Sequence, residues 1–234
     1  MEKRKDDSLG VSYQATEPSI WQGRKVSASL DIQYWYQAVQ VLGENELLNQ
    51  KLNNSKENFA LLGYACEEGV RRNQGRVGAA TGPFAIRQQL AKLAWHNKEA
   101  RIWDIGDIFC KSQALEAAQT LLSLKVKDIL DQKFIPILLG GGHDIAFGHG
   151  KGILKALKPG QRLGILNFDA HFDLRPVKEV PNSGTPFYQL LIEDSSKIDY
   201  LVIGIRPAAN TSELFSIAQS LSVKYIPLEL CQWH

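Results

Sequence analysis

From about residue 59 the chain alternates short apolar runs with amphipathic helical stretches, and that alternation leaves few folds open. FALLGYA (59–65), RIWDIG (101–106), FIPILL (134–139), RLGILNF (162–168), DYLVIGI (199–205) and VKYIPL (223–228) are short and apolar, bounded by polar residues or glycine. Such runs read as buried strands. Over 112–131, Leu115, Ala118, Leu122, Val126 and Ile129 recur at helical spacing. Thr81-Gly82-Pro83 opens a second helix, with proline suited to the first turn and Ile86, Leu90 and Leu93 on one face. Further helices are expected over roughly 144–158, TPFYQLLIED (185–194) and TSELFSIAQSL (211–221). Strands separated by helices need crossovers, so one α/β domain is predicted over 59–234, with a mostly parallel sheet covered on both faces. Residues 1–58 are expected to form an N-terminal extension packed on it. Within them, Ser29 to Leu42, with Leu30, Tyr34 and Val41, reads as a helix or an amphipathic extension.

Composition narrows the function classes. Among 234 residues, 27 Lys and Arg face 25 Asp and Glu, a net charge of +2. That balance offers no general attraction to nucleic acid or to an anionic membrane. The first ten residues, MEKRKDDSLG, lack the apolar stretch of a secretory signal, and no uncharged apolar run approaches the ~18 residues of a membrane helix. Cys66, Cys110 and Cys231 make neither a disulfide framework nor a zinc-ribbon spacing, which fits a reducing compartment. A cytoplasmic, soluble protein acting on a small molecule is expected.

In open parallel sheets, ligands bind beyond the carboxyl ends of strands. Two such ends carry unusual residues. FIPILL runs into GGGHDIAFGHG (140–150), and RLGILNF runs into Asp169-Ala170-His171-Phe172-Asp173. If the second segment stays extended, Asp169, His171 and Asp173 project to one side. Buried without partners, two carboxylates and an imidazole carry a large desolvation cost, which a divalent ion removes. An O/O/N set favours a hard or borderline ion such as Mn²⁺. The alternative is a solvated turn whose charges cap the next helix. The glycine run is neither a Walker A loop nor a dinucleotide fingerprint. What remains is close backbone approach by glycine, with His143 delivered at the strand end as a further ligand. His149, a helical turn later, reads as structural.

GGGHD together with NFDAHFD resembles the ureohydrolase superfamily of arginases, agmatinases and formimidoylglutamases. Trp21-Gln22-Gly23-Arg24, GYACEEGVRRNQGRVGAATGPFAIR (63–87), Arg175 and NSGTPFYQL (182–190) resemble formimidoylglutamase in particular. Thr185-Pro186-Phe187 stands where arginases carry a histidine. The resemblance implies a three-layer α/β/α fold and two Mn²⁺ ions held by His143, Asp169, His171 and Asp173. It implies Asp169 as the bridging candidate and Asp169 and His171 as the catalytic residues. It implies hydrolysis of N-formimidoyl-L-glutamate to L-glutamate and formamide, in histidine breakdown, by a hydroxide bridging the metals. The substrate carries two carboxylates, which arginine forks suit. Arg175, one or more of Arg71, Arg72 and Arg76, and the Asn182, Ser183 and Gly184 turn are its expected contacts. For the 71–76 arginines the alternative is a solvated basic loop. The resemblance also implies homo-oligomers.

The family's third metal motif, S-x-D-x-D, does not occur in this sequence. Asp128 and Asp131 lie on the predicted 112–131 helix and do not fit it. The expectation is therefore a fold lacking the last family strands, a weakened second metal position and an exposed apolar sheet edge. Two alternatives stand beside the enzyme: a truncated, poorly active homologue binding at most one metal, and a ureohydrolase for another guanidino or amidino substrate.

Overall fold

The apolar runs become strands and the amphipathic stretches helices in a computed structural model, which describes residues 10–25, 31–43, 46, 57–97 and 99–231. In chain order the elements are β1 (Val11–Gln14), α1 (Trp35–Ala38), β2 (Val39–Val41), β3 (Glu57–Ala65), α2 (Glu68–Arg72), α3 (Gly82–Leu90), β4 (Ala100–Cys110), α4 (Leu115–Asp131), β5 (Ile135–Leu139), α5 (Ile145–Ala156), β6 (Leu163–Phe168), α6 (Pro186–Asp194), β7 (Ile198–Ile205), α7 (Ser212–Ser220) and β8 (Lys224–Pro227). All six predicted strands and all five predicted helices form. The stretch around Tyr34 and Val41 forms the short α1 and β2, whereas Ser29 and Leu30 lie outside the described residues.

The strands are mostly parallel but divide into two sheets. The first runs β1-β4-β3-β5, with β2 also paired to β4, and the second runs β6-β7-β8. Only β1 is antiparallel, against β4. Among the described residues β5 and β6 share no ladder, so each ends its sheet as an edge. Leu166 and Phe168 on β6 are 64% and 76% exposed.

Side chains of β3 alternate between two cores, as a strand covered on both faces requires. Ala60, Leu62 and Tyr64 pack with Trp103 and Ile108 under Leu115, Ala118, Leu122, Val126 and Ile129 of α4. Phe59 and Leu61 face the other way, towards Trp21, Val39, Leu90 and Ala91. The second sheet buries Val202 and Ile205 against α6 and α7. Helix α5 joins the halves, with Ile145 in the first core, Phe147 and Leu154 in the second, and Ile153 touching both. The N-terminal segment is tied down at one buried carboxylate. Asp104 accepts from Thr16 Oγ1 (2.9 Å), Trp21 Nε1 (2.7 Å) and both Nε and Nη2 of Arg87.

Candidate metal centre

Each half of the centre hangs from the carboxyl end of one edge strand. After β5, Gly140–Gly142 pass over the end of β3 so closely that a Cβ on Gly141 would lie 2.1 Å from the Cys66 carbonyl oxygen. Only glycine fits that approach. Gly142 N donates to Cys66 O (2.9 Å), and the chain then turns into α5. His143 is thereby placed at the head of that helix, beside Asp144, which is fully buried. Tyr64 donates its hydroxyl to Asp144 Oδ2 (3.0 Å), and Gln119 Nε2 donates to the Asp144 carbonyl. The other carboxylate oxygen, Oδ1, finds no hydrogen-bond partner, and burial pushes the Asp144 pKa up to about 6.

After β6 the chain does not continue extended, contrary to the i, i+2, i+4 expectation. Strand β6 stops at Phe168, and Asp173 adopts left-handed backbone, φ 48°. Apolar anchoring is the reason. Phe172 and Leu174 are fully buried, and Phe172 packs edge-on against Phe215 and Tyr225. Asn210 holds the loop from below, accepting from Phe172 N and donating to Ala170 O. Tyr200 donates to Phe172 O. Neither Asn210 nor Tyr200 carries a local sequence signal.

The turn brings Asp169 and Asp173 to His143. His143 Nδ1 lies 2.6 Å from Asp173 Oδ2 and 3.4 Å from Asp169 Oδ2. One ligand atom from each of the three falls within 4.8 Å of the others. Burial opposes a charge on the imidazole, but the Asp173 hydrogen bond and the Asp173, Asp169 and Asp144 charges outweigh it and raise the His143 pKa. A nitrogen and two carboxylate oxygens converging on one point fit a hard or borderline divalent ion. His171 stands outside this trio. Its more exposed ring places Nδ1 3.4 Å from Asp169 Oδ1, so Asp169 turns one oxygen to each histidine. His149 takes no part, and burial lowers its pKa.

Phe187 meets the His143 ring edge-on at 5.5 Å and stacks on Tyr200 at 4.4 Å. It belongs to Thr185-Pro186-Phe187, the segment that the resemblance sets in place of the arginase histidine.

A polar ledge adjoins the centre. Arg175 Nη1 donates to Asn73 Oδ1 (2.7 Å), and Asn73 Nδ2 donates to Ser183 Oγ (3.1 Å). Ser183 N bonds Gly69 O, and Arg175 N bonds Gly184 O. Asn182 closes the turn on itself by accepting from Gly184 N. The expected Arg175, Asn182, Ser183 and Gly184 therefore sit together. Arg72 does not belong with them. Its Nε donates to Glu68, Nη1 to Glu116 and Pro181 O, and Nη2 to Gln113 O and Glu116. All five N–H donors are spent inside the protein, so Arg72 is a clamp and not a substrate contact. Arg71 shares the buried Glu68 carboxylate through Nε and Nη2 but keeps its side chain 51% exposed. Arg76 is exposed, without a hydrogen bond or ion pair to the described residues. Asn73 is the ledge residue that sequence reasoning missed. A cavity of about 710 Å³ between the N-terminal segment and α3, lined by Glu17, Arg87, Lys92 and Asp107 among others, includes none of these groups. No helix among the described residues is long and apolar enough to cross a membrane.

The chain is similar to known proteins. The chain is 42% identical over 216 residues to the formimidoylglutamase of Geobacillus thermodenitrificans, covering 92% of this chain and 66% of the relative. It is 40% identical over 218 residues to that of Aeromonas salmonicida, covering 92% and 67%. The chain thus spans about two thirds of the length of these relatives. Among solved structures, Trypanosoma cruzi formiminoglutamase with Mn²⁺₂ superposes with a TM-score of 0.66 at 27% identity, covering 79% of this chain and 64% of that one. Formimidoylglutamase from Bacillus subtilis gives 0.69 at 20% identity, over 89% and 63%, a likeness of fold alone. The arginase family model matches residues 57–232. That span carries both halves of the centre, His143 after β5 and Asp169 to Asp173 after β6, and the chain belongs to the arginase family.

Proposed function

We propose that this chain serves the Mn²⁺-dependent hydrolysis of N-formimidoyl-L-glutamate to L-glutamate and formamide, a step of histidine breakdown. The observation that carries the reading is the convergence of His143, Asp169 and Asp173 beside an arginine, Arg175, that the protein itself orients. His143, Asp169 and Asp173 would hold one Mn²⁺, with Asp169 and His171 reaching towards a second. Bound there, divalent ions lower the pKa of water and polarise the carbon it attacks. The chain's own part is to hold the substrate. Arg175, fixed by Asn73, offers its fork to one carboxylate of formimidoylglutamate, and Arg71 or Arg76 stands available for the other. Phe187 closes the side of the His143 ring, leaving no imidazole there to shuttle protons. Free thiols and balanced charge support a cytoplasmic location, and self-association is expected at the open β6 edge.

A second reading, one ion per chain with weak turnover, is favoured by the single three-ligand cluster among the described residues. Glutamate release from N-formimidoyl-L-glutamate across a Mn²⁺ titration, with Asp169→Ala as control, tests the first reading. Metal-dependent release lost in the control supports it. No release from a folded, metal-binding chain refutes it and leaves the second.

A further inference from the structure

Two cysteines meet at the carboxyl end of the first sheet, just beyond the last pair between β3 and β4. Tyr64 is in register with Ile108, and Ala65 with Phe109. Two residues further on, the alternation of a strand brings Cys66 and Cys110 side by side on the face that Tyr64 and Ile108 share. Both lie in the cluster under α4 with Leu115 and Ala118. Neighbouring strands are ~4.8 Å apart, within the ~4.4–6.8 Å of Cα separation that a disulfide spans. Both thiols are free, Cys66 fully buried and Cys110 half-buried. The neighbouring Cys110 lowers the Cys66 pKa, and Cys66 raises that of Cys110. The pair touches the centre through backbone, because Cys66 O accepts from Gly142 N and its peptide seats Gly141.

We propose that Cys66 and Cys110 form a dithiol that a hydroperoxide converts to a disulfide, and that this linkage weakens metal binding by the adjoining glycine loop. In the first step one of the two sulfurs, as thiolate, attacks a peroxide oxygen. An S–O bond forms, the O–O bond breaks, and hydroxide leaves. The other sulfur then attacks that sulfenic acid, an S–S bond forms, and the oxygen departs as water with the remaining thiol proton. Two electrons pass from the two sulfurs to the peroxide. The effect on metal binding rests on the metal reading above, whereas formation of the disulfide does not.

The test uses the full chain carrying Cys231→Ser, so that only the pair remains. After hydrogen peroxide, non-reducing peptide mapping should show Cys66 and Cys110 joined, with a loss of about 2 Da that dithiothreitol reverses. Mn²⁺ affinity of the linked chain should fall about fivefold or more against the reduced chain. A further Cys110→Ser change should abolish both the linkage and the peroxide-dependent fall. Both thiols still open to alkylation after peroxide would overturn the proposal, as would unchanged Mn²⁺ affinity in a fully linked chain. If the reduced chain binds no Mn²⁺, the metal reading fails and with it the effect on binding, while the peptide map still decides the dithiol.

Discussion

His143 Nδ1 sits 2.6 Å from Asp173 Oδ2, and this contact joins the ends of β5 and β6, two strands that share no backbone hydrogen bond. The halves of the molecule, each built on its own sheet, converge at their carboxyl ends through ionisable side chains. Two carboxylates facing one imidazole are an unfavourable grouping without a cation, which is why metal binding is the property to measure first.

His143→Ala should weaken the tighter Mn²⁺ site by about 100-fold or more, since it removes a ligand and not merely an outer contact, whose loss costs about 10–100-fold. His171→Ala should leave that site in place and remove only weaker binding, because its ring faces the other oxygen of Asp169. Calorimetric titration with Mn²⁺ separates the two. Equal losses in both variants would show that the histidines serve one ion.

Asn73→Ala and Arg175→Ala should both raise KM for formimidoylglutamate, by about tenfold or more, with a smaller change in kcat. A charge-assisted hydrogen bond is worth about 1.5–3 kcal/mol, and Asn73 acts by orienting the guanidinium and holding Ser183. Steady-state kinetics would check this, and an Arg175→Ala enzyme with its KM unmoved would remove the anchor from the scheme.

Much of this was legible in residue order. Period and length predicted every long strand and helix, and residue type at two strand ends singled out His143, Asp169, His171 and Asp173, of which all but His171 converge on one point. The elements that escaped, β1, β2 and α2, run three to five residues, too short to show a period, and the four-residue α1 is legible only as part of a helix or amphipathic extension over Ser29 to Leu42. The division into two sheets escaped as well, because local patterning says nothing of strand order. Arg72 shows the limit most clearly. Its partners Gln113, Glu116 and Pro181 are far along the chain, and only the fold reveals that its donors are spent. The left-handed turn at Asp173 depends likewise on Asn210 and on the Phe172 pocket.

Glu68 should govern part of the acid limb of stability. Its carboxylate, 4% exposed, accepts from Arg71 and Arg72, and these hydrogen bonds hold its pKa below the usual 4.5. A depressed folded pKa gives stability that is present above 4.5 and lost as pH falls through the lower folded value. Glu68→Gln should cost about 1–3 kcal/mol near neutral pH and flatten the loss below pH 4.5. Urea midpoints measured against pH would show it. A variant whose acid limb matches that of the parent would mean that the two arginines find other partners.

The β6 edge carries the last prediction. Leu166 is 64% exposed on a strand whose outer hydrogen-bonding row is unpaired among the described residues. Such an edge is a template for a second strand, and natural proteins blunt edges with lysine. Leu166→Lys removes apolar surface without entering the Phe172 pocket or the Asp169 turn, so stability should stay within about 0.5 kcal/mol of the parent. Sedimentation velocity should then show concentration-dependent association in the parent chain and much less in the variant. If both associate alike, the contact lies elsewhere, and the open edge is not what draws the molecules together.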